Sequence, residues 1–108
     1  MKDVTVTEEG GTLIALLHCE IDHHSVKGVR EVIDGRMEKS AAACVVLDFS
    51  GVGFMDSSGI GLILGRAEMA ARLGRTLRLR SLSPSLLRRV RMSGVEKIKN
   101  IKIEAEGK

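Results

Sequence analysis

Ala43-Cys44-Val45-Val46-Leu47-Asp48, then Phe49-Ser50-Gly51-Val52-Gly53-Phe54-Met55, then Asp56-Ser57-Ser58-Gly59-Ile60-Gly61: the fold turns on this stretch. Ala43 to Leu47 is short, apolar and partly β-branched, the pattern of a central strand buried on both faces. Ser50 to Met55 is a glycine-containing loop. From Asp56 the spacing becomes helical: Ile60, Ile63, Leu64, Ala67 and Ala71 share one face, and Gly74 stops the helix. A buried strand leading through a short loop into a helix is one unit of an open α/β sheet.

The flanking sequence repeats that unit. Val4 and Val6 alternate with polar residues, Glu8-Glu9-Gly10-Gly11 reads as a turn, and Leu13 to Leu17 is apolar, which together predict an antiparallel hairpin. Asp22-His23-His24-Ser25 precedes Val26, Val29, Ile33 and Met37 at helical spacing. Downstream, Leu77, Leu79 and Leu82 alternate with Arg78 and Arg80 as a strand over Thr76 to Leu82. Ser83-Pro84 is a cap followed by proline at the first helical position, Leu86, Leu87 and Val90 continue that helix, and Gly94 ends it. Ile98, Ile101 and Ile103 predict a last short strand. The order is ββαβαβαβ: a single α/β domain over residues 1–108, with a mixed, mostly parallel sheet, an antiparallel first strand and packed helices.

Composition narrows the function. The 108 residues, 44% hydrophobic and 29% charged, suffice for one aliphatic core. Two Phe with no Tyr or Trp leave no aromatic platform for stacking bases. The longest apolar runs fall far short of the ~18 residues of a membrane span, and no signal peptide is evident. Cys19 and Cys44 cannot make a disulfide framework, so a cytoplasmic protein with free thiols is expected. The net charge of +3 hides a polarity: residues 72–102 hold ten basic side chains against the single acid Glu96. A solvated face is the ordinary reason for such a run; a docking surface for an acidic partner is the sharper one. Direct nucleic-acid binding is not expected.

Within the opening stretch, Asp56-Ser57-Ser58-Gly59 begins a helix at the carboxyl end of a strand, where sites gather in open α/β sheets. A hydroxyl there lies near free N–H groups that favour anions. The plainer reading is a helix cap, since Ser and Asp are preferred caps. Gly59 and Gly61 read as sites of close backbone packing.

Phe54-Met55-Asp56-Ser57-Ser58-Gly59-Ile60-Gly61 resembles the signature of the STAS-domain anti-sigma factor antagonists of spore-forming bacteria. The resemblance continues at Ile63-Leu64-Gly65-Arg66, at Ile21-Asp22-His23-His24, at Leu82-Ser83-Pro84 and at Met92-Ser93-Gly94. It implies a partner-switching regulator of transcription in sporulation. The unphosphorylated antagonist binds an anti-sigma factor that is also a serine kinase, and so frees the sigma factor. Phosphorylation of the serine after the motif's aspartate, here Ser57 with Ser58 as second choice, ends that binding, and a PP2C-type phosphatase reverses it. Asp22, His23, Asp56, Ser57, Ser58 and Gly59 are the expected partner-binding residues, with no cofactor and no catalytic group. A STAS interaction module of another partner-switching or stress complex, or a nucleotide-binding STAS domain, is the alternative. Arg91 departs from the resemblance, standing where the family has an acidic residue.

Other constellations carry less. His18, Cys19, Asp22, His23 and His24 fit no zinc spacing, so no metal is expected. Cys44 reads as a small core residue. Ser57 lacks the Gly-x-Ser-x-Gly elbow of a nucleophile, and neither Gly51-Val52-Gly53 nor Gly59-Ile60-Gly61 is a phosphate loop. Asp48 invites comparison with a receiver phospho-aspartate, but the acidic pair and lysine of such a site are missing.

Overall fold

Gly10 and Gly11 both adopt left-handed backbone, φ 56° and 80°, as the two central positions of a tight hairpin turn require. In the computed structural model, which describes residues 3–104, they join β1 (Val4–Glu9) to β2 (Thr12–Leu17) in antiparallel register. The chain crosses through α1 (Val26–Lys39) into β3 (Cys44–Asp48), and through α2 (Ser57–Arg72) into β4 (Thr76–Arg80). It returns through α3 (Pro84–Met92) and a 3-10 turn at Val95–Lys97 into β5 (Ile101–Ile103). The sheet order is β1-β2-β3-β4-β5, with every pair after the first parallel. The predicted order ββαβαβαβ is the observed one. Strand β4 stops at Arg80, two residues before the predicted end, where Ser81 takes φ 61° and turns the chain.

Each crossover advances one strand in the same direction, so right-handed connections stack all three helices on one face. Leu13, Val45, Leu77 and Ile101 form one row under them, and Ala15, Leu47 and Leu79 the next; all are buried. The opposite face carries Ile14, Leu16, Cys44, Val46, Arg78 and Lys102. The expected burial on both faces of Ala43–Leu47 holds from Val45 onward, with Val46 and then Asp48 buried on the helix-free face between Ile14, Leu16, Arg78 and Arg80, whereas Ala43 is exposed. Cys44 corrects its core assignment: strand alternation puts it on the helix-free face, half-buried. Cys19 lies beyond the carboxyl end of β2, at the other end of the parallel strands, and both thiols are free.

Helix α1 buries Val29, Ile33 and Met37, as its spacing predicts. Helix α2 is rotated from its prediction. It buries Gly59, Leu62, Ile63, Arg66, Ala67 and Ala70, while Leu64 and Ala71 are exposed and Ile60 is half-buried. The segment is apolar nearly all round, so more than one face satisfies the period. The choice falls on the face whose Arg66 meets Asp34 of α1.

Candidate functional site

Strand β3 ends in a clasp. The buried Asp48 carboxylate accepts from Arg80 Nε at 2.7 Å and from the Ser50 backbone N–H at 2.8 Å. Burial pushes its pKa up, but these bonds outweigh that and hold it below the ordinary carboxylate value. Asp48 is thus a structural staple between β3, β4 and the loop. Beyond it, Phe49 and Val52 are buried. Gly51 lies so close to β2 that a Cβ would meet the Leu17 carbonyl oxygen at 2.5 Å.

The loop then pairs with a segment more than thirty residues earlier. Ile21 and Met55 form an isolated parallel bridge. The Ile21 N–H donates to the Phe54 carbonyl, and the Asp56 N–H to the Ile21 carbonyl, both at 3.1 Å. This bridge sets the turn at Asp22 and His23 beside the start of α2. Asp22 accepts from the backbone N–H groups of His24 (2.9 Å) and Ser25 (3.0 Å), which lower its pKa. It is therefore the head of a turn, not the cap of α1. Ser25 occupies the N-cap without a side-chain cap bond. His23 and His24 are exposed, their ring centroids 3.9 Å apart.

Asp56 is the N-cap of α2, its carboxylate accepting from the Ser58 N–H at 2.8 Å. Ser57 is the first helical residue and is exposed; Ser58 is half-buried. Gly59 is buried where a Cβ would overlap the Met55 side chain, so the packing reading holds there. It fails at Gly61, which is exposed and has open space beside it. The six expected site residues thus cluster about one bridge and one helix start.

The surface near Ser57 adds residues that were not among the expected site residues. Phe54, Leu64, Leu73 and Met92 are the exposed large apolar side chains among the described residues, and Met92, at 81%, is the most exposed of them. A groove of about 420 Å³ is lined by Ser57 and Ile60 of α2 with Ser85, Arg88, Arg89 and Met92 of α3 and the following Ser93. Helix α3 is aimed by its Ser83 cap, which accepts from the Leu86 N–H at 3.2 Å. Nothing local in the sequence links α3 to Ser57; only the crossover brings them together.

Five of the ten basic side chains of residues 72–102 find partners within the domain. Arg75 donates to the Met37 and Ser40 carbonyls. Arg72 pairs with Glu68, Arg78 with Glu104, Arg80 with Asp48 and Arg91 with Glu96. His18 contacts Thr5 Oγ1 at 2.9 Å, and burial pushes the Cys19 and Cys44 thiols up in pKa. Among the described residues no three His, Cys, Asp or Glu side chains converge as metal ligands, and no helix is long and apolar enough to cross a membrane.

A STAS domain profile matches residues 3–106. The chain belongs to the STAS domain family. Among its relatives, the anti-sigma F factor antagonist of Lysinibacillus sphaericus is 37% identical over 91 residues, spanning 83% of this chain and 75% of that protein. The solved structure of the anti-sigma factor antagonist SpoIIAA in its unphosphorylated form superposes with a TM-score of 0.77 at 27% identity, covering 95% of this chain and 89% of that one. The Bacillus cell fate determinant SpoIIAA in its phosphorylated form gives 0.70 at 27% identity, with 95% and 92% covered.

Proposed function

We propose that this protein is an anti-sigma factor antagonist whose unphosphorylated form binds an anti-sigma factor with serine kinase activity, releasing the sigma factor, and whose binding ends on phosphorylation of Ser57. The observation that carries the reading is an exposed serine at the first position of α2, in one groove with the largely exposed Met92 of α3, in a chain related to anti-sigma F factor antagonists. Such a surface suits burial against a partner, and the hydroxyl lies inside it. The kinase would transfer the γ-phosphoryl group of ATP to Ser57 Oγ, with ADP leaving and the hydroxyl proton passing to a kinase base. A PP2C-type phosphatase would hydrolyse the ester and restore the hydroxyl.

The switch needs no refolding. A phosphoserine brings about −1.5 to −2 charge, which the positive end of the α2 dipole tolerates within the domain. Across an apolar interface the same group must lose its water without a prepared partner, and Asp56 adds to the negative field. Exposure favours Ser57 over Ser58 as the acceptor. Asp22 and His23 extend the contact surface, held there by the Ile21–Met55 bridge.

Incubation with the anti-sigma kinase and ATP, followed by tandem mass spectrometry, tests the acceptor; phosphate on Ser58 alone would refute it. Ser57→Ala should still pull down the anti-sigma factor and escape modification. Ser57→Asp should lose the partner while its circular dichroism and melting stay near wild type. Normal binding by the Asp variant would sink the electrostatic account.

A further inference from the structure

Arg88 and Arg89 stand apart from the other arginines of the basic run. Arg72, Arg78, Arg80 and Arg91 face carboxylates and Arg75 faces backbone carbonyls, but Arg88 and Arg89 have no ion pair among the described residues. Both are exposed on α3, and both line the groove whose opposite wall carries Ser57. We infer that these two arginines hold the phosphate of phosphorylated Ser57 in cis, within the groove between α2 and α3.

The inference rests on Ser57 as the phosphoacceptor and adds where the phosphate goes. A guanidinium is permanently charged and offers a planar donor fork that matches phosphate oxygens. Two of them free of competing carboxylates, in one concavity with the acceptor hydroxyl, meet the need of a tethered dianion. The groove also contains Ile60 and the largely exposed Met92. A phosphate drawn toward α3 would cover that apolar floor and occupy both cations at once. Phosphorylation then withdraws contacts from the partner in addition to repelling it.

The test uses the full chain with phosphoserine installed at position 57 during translation, so that it does not depend on any kinase. Phosphorus NMR follows the second ionisation of the phosphate with pH in this protein and in its Arg88→Gln/Arg89→Gln variant. Nearby cations favour the dianion, so the midpoint should lie about half a pH unit lower with the arginines present. High salt should shrink the difference, and Arg88→Lys/Arg89→Lys should restore part of it. Equal midpoints in the two proteins would overturn the inference. So would equal midpoints with a loss of anti-sigma factor binding by the unphosphorylated Gln variant, which would assign the arginines to an acidic partner surface. Circular dichroism checks folding, and the single Gln variants serve if the double one melts early. Failure of the kinase to modify Ser57 would count against the acceptor assignment alone.

Discussion

Arg66 offers a sharp test of how this fold is held, because the two halves of its ion pair should respond very differently to removal. Its side chain is 8% exposed and lies against Asp34, 29% exposed, with Nε and Oδ1 2.8 Å apart. The approach is close but poorly directed: those two atoms and Nη1 are buried without a hydrogen bond. Burial lowers the pKa of Arg66, Asp34 opposes the shift and Arg30 adds to it. Asp34→Ala would leave a buried guanidinium without its carboxylate partner. Breaking a fully buried pair in this way costs about 3–5 kcal/mol; Asp34 is partly hydrated, so ~2–3 kcal/mol is expected here. Arg66→Met removes the buried charge, keeps much of the volume, and leaves a carboxylate that water can reach. It should stay within ~1 kcal/mol of wild type. Adding Arg66→Met to Asp34→Ala should therefore recover most of the loss, a coupling of about 2 kcal/mol. Urea denaturation at constant m-value measures all four proteins, and the Asp34→Ala melting temperature should fall by ~10 °C or more. Additive losses, or an Asp34→Ala cost below that of Arg66→Met, would refute the reasoning.

Three further outcomes follow from the site. Gly59→Ala should cost ~1–3 kcal/mol in denaturant melts, since its Cβ overlaps Met55 in a closed place. Gly61→Ala should be neutral or gain up to ~1 kcal/mol, because its Cβ meets open space on an exposed helical turn. Asp48 has a folded pKa below its reference value of 3.8, so its stabilisation is present above that pH and is lost as pH falls through the lower folded value. The stability gap between wild type and Asp48→Asn, followed by chemical denaturation from pH 7 downward, should accordingly stay level to about pH 4 and then narrow.

The elements were legible because each depends on neighbours in the chain. Two glycines made the hairpin, Ser83-Pro84 opened α3, and a short apolar run made the central strand. Their order, with right-handed crossovers, was enough for the mixed sheet. The Asp56-Ser57-Ser58-Gly59 start of α2 was legible for the same reason, since capping is a matter of adjacent residues. The phase of α2 was not. Ile60, Leu64 and Ala71 looked as suitable for the core as Leu62 and Ala70, and only packing against other elements could choose between them.

What the sequence determined by itself was therefore the class of fold, the helix cap and the serine at its edge, all set by local backbone and side-chain chemistry. Tertiary structure decided the rest, because it depends on contacts between distant residues. It placed Asp22 and His23 beside Ser57 through one bridge at Ile21 and Met55. It turned Phe54, Leu64 and Met92 outward, gave five of the seven arginines of the basic run carboxylate or carbonyl partners, and left Arg88 and Arg89 lining one groove with the serine. A surface is made by what packing leaves uncovered, and packing is a property of the whole chain.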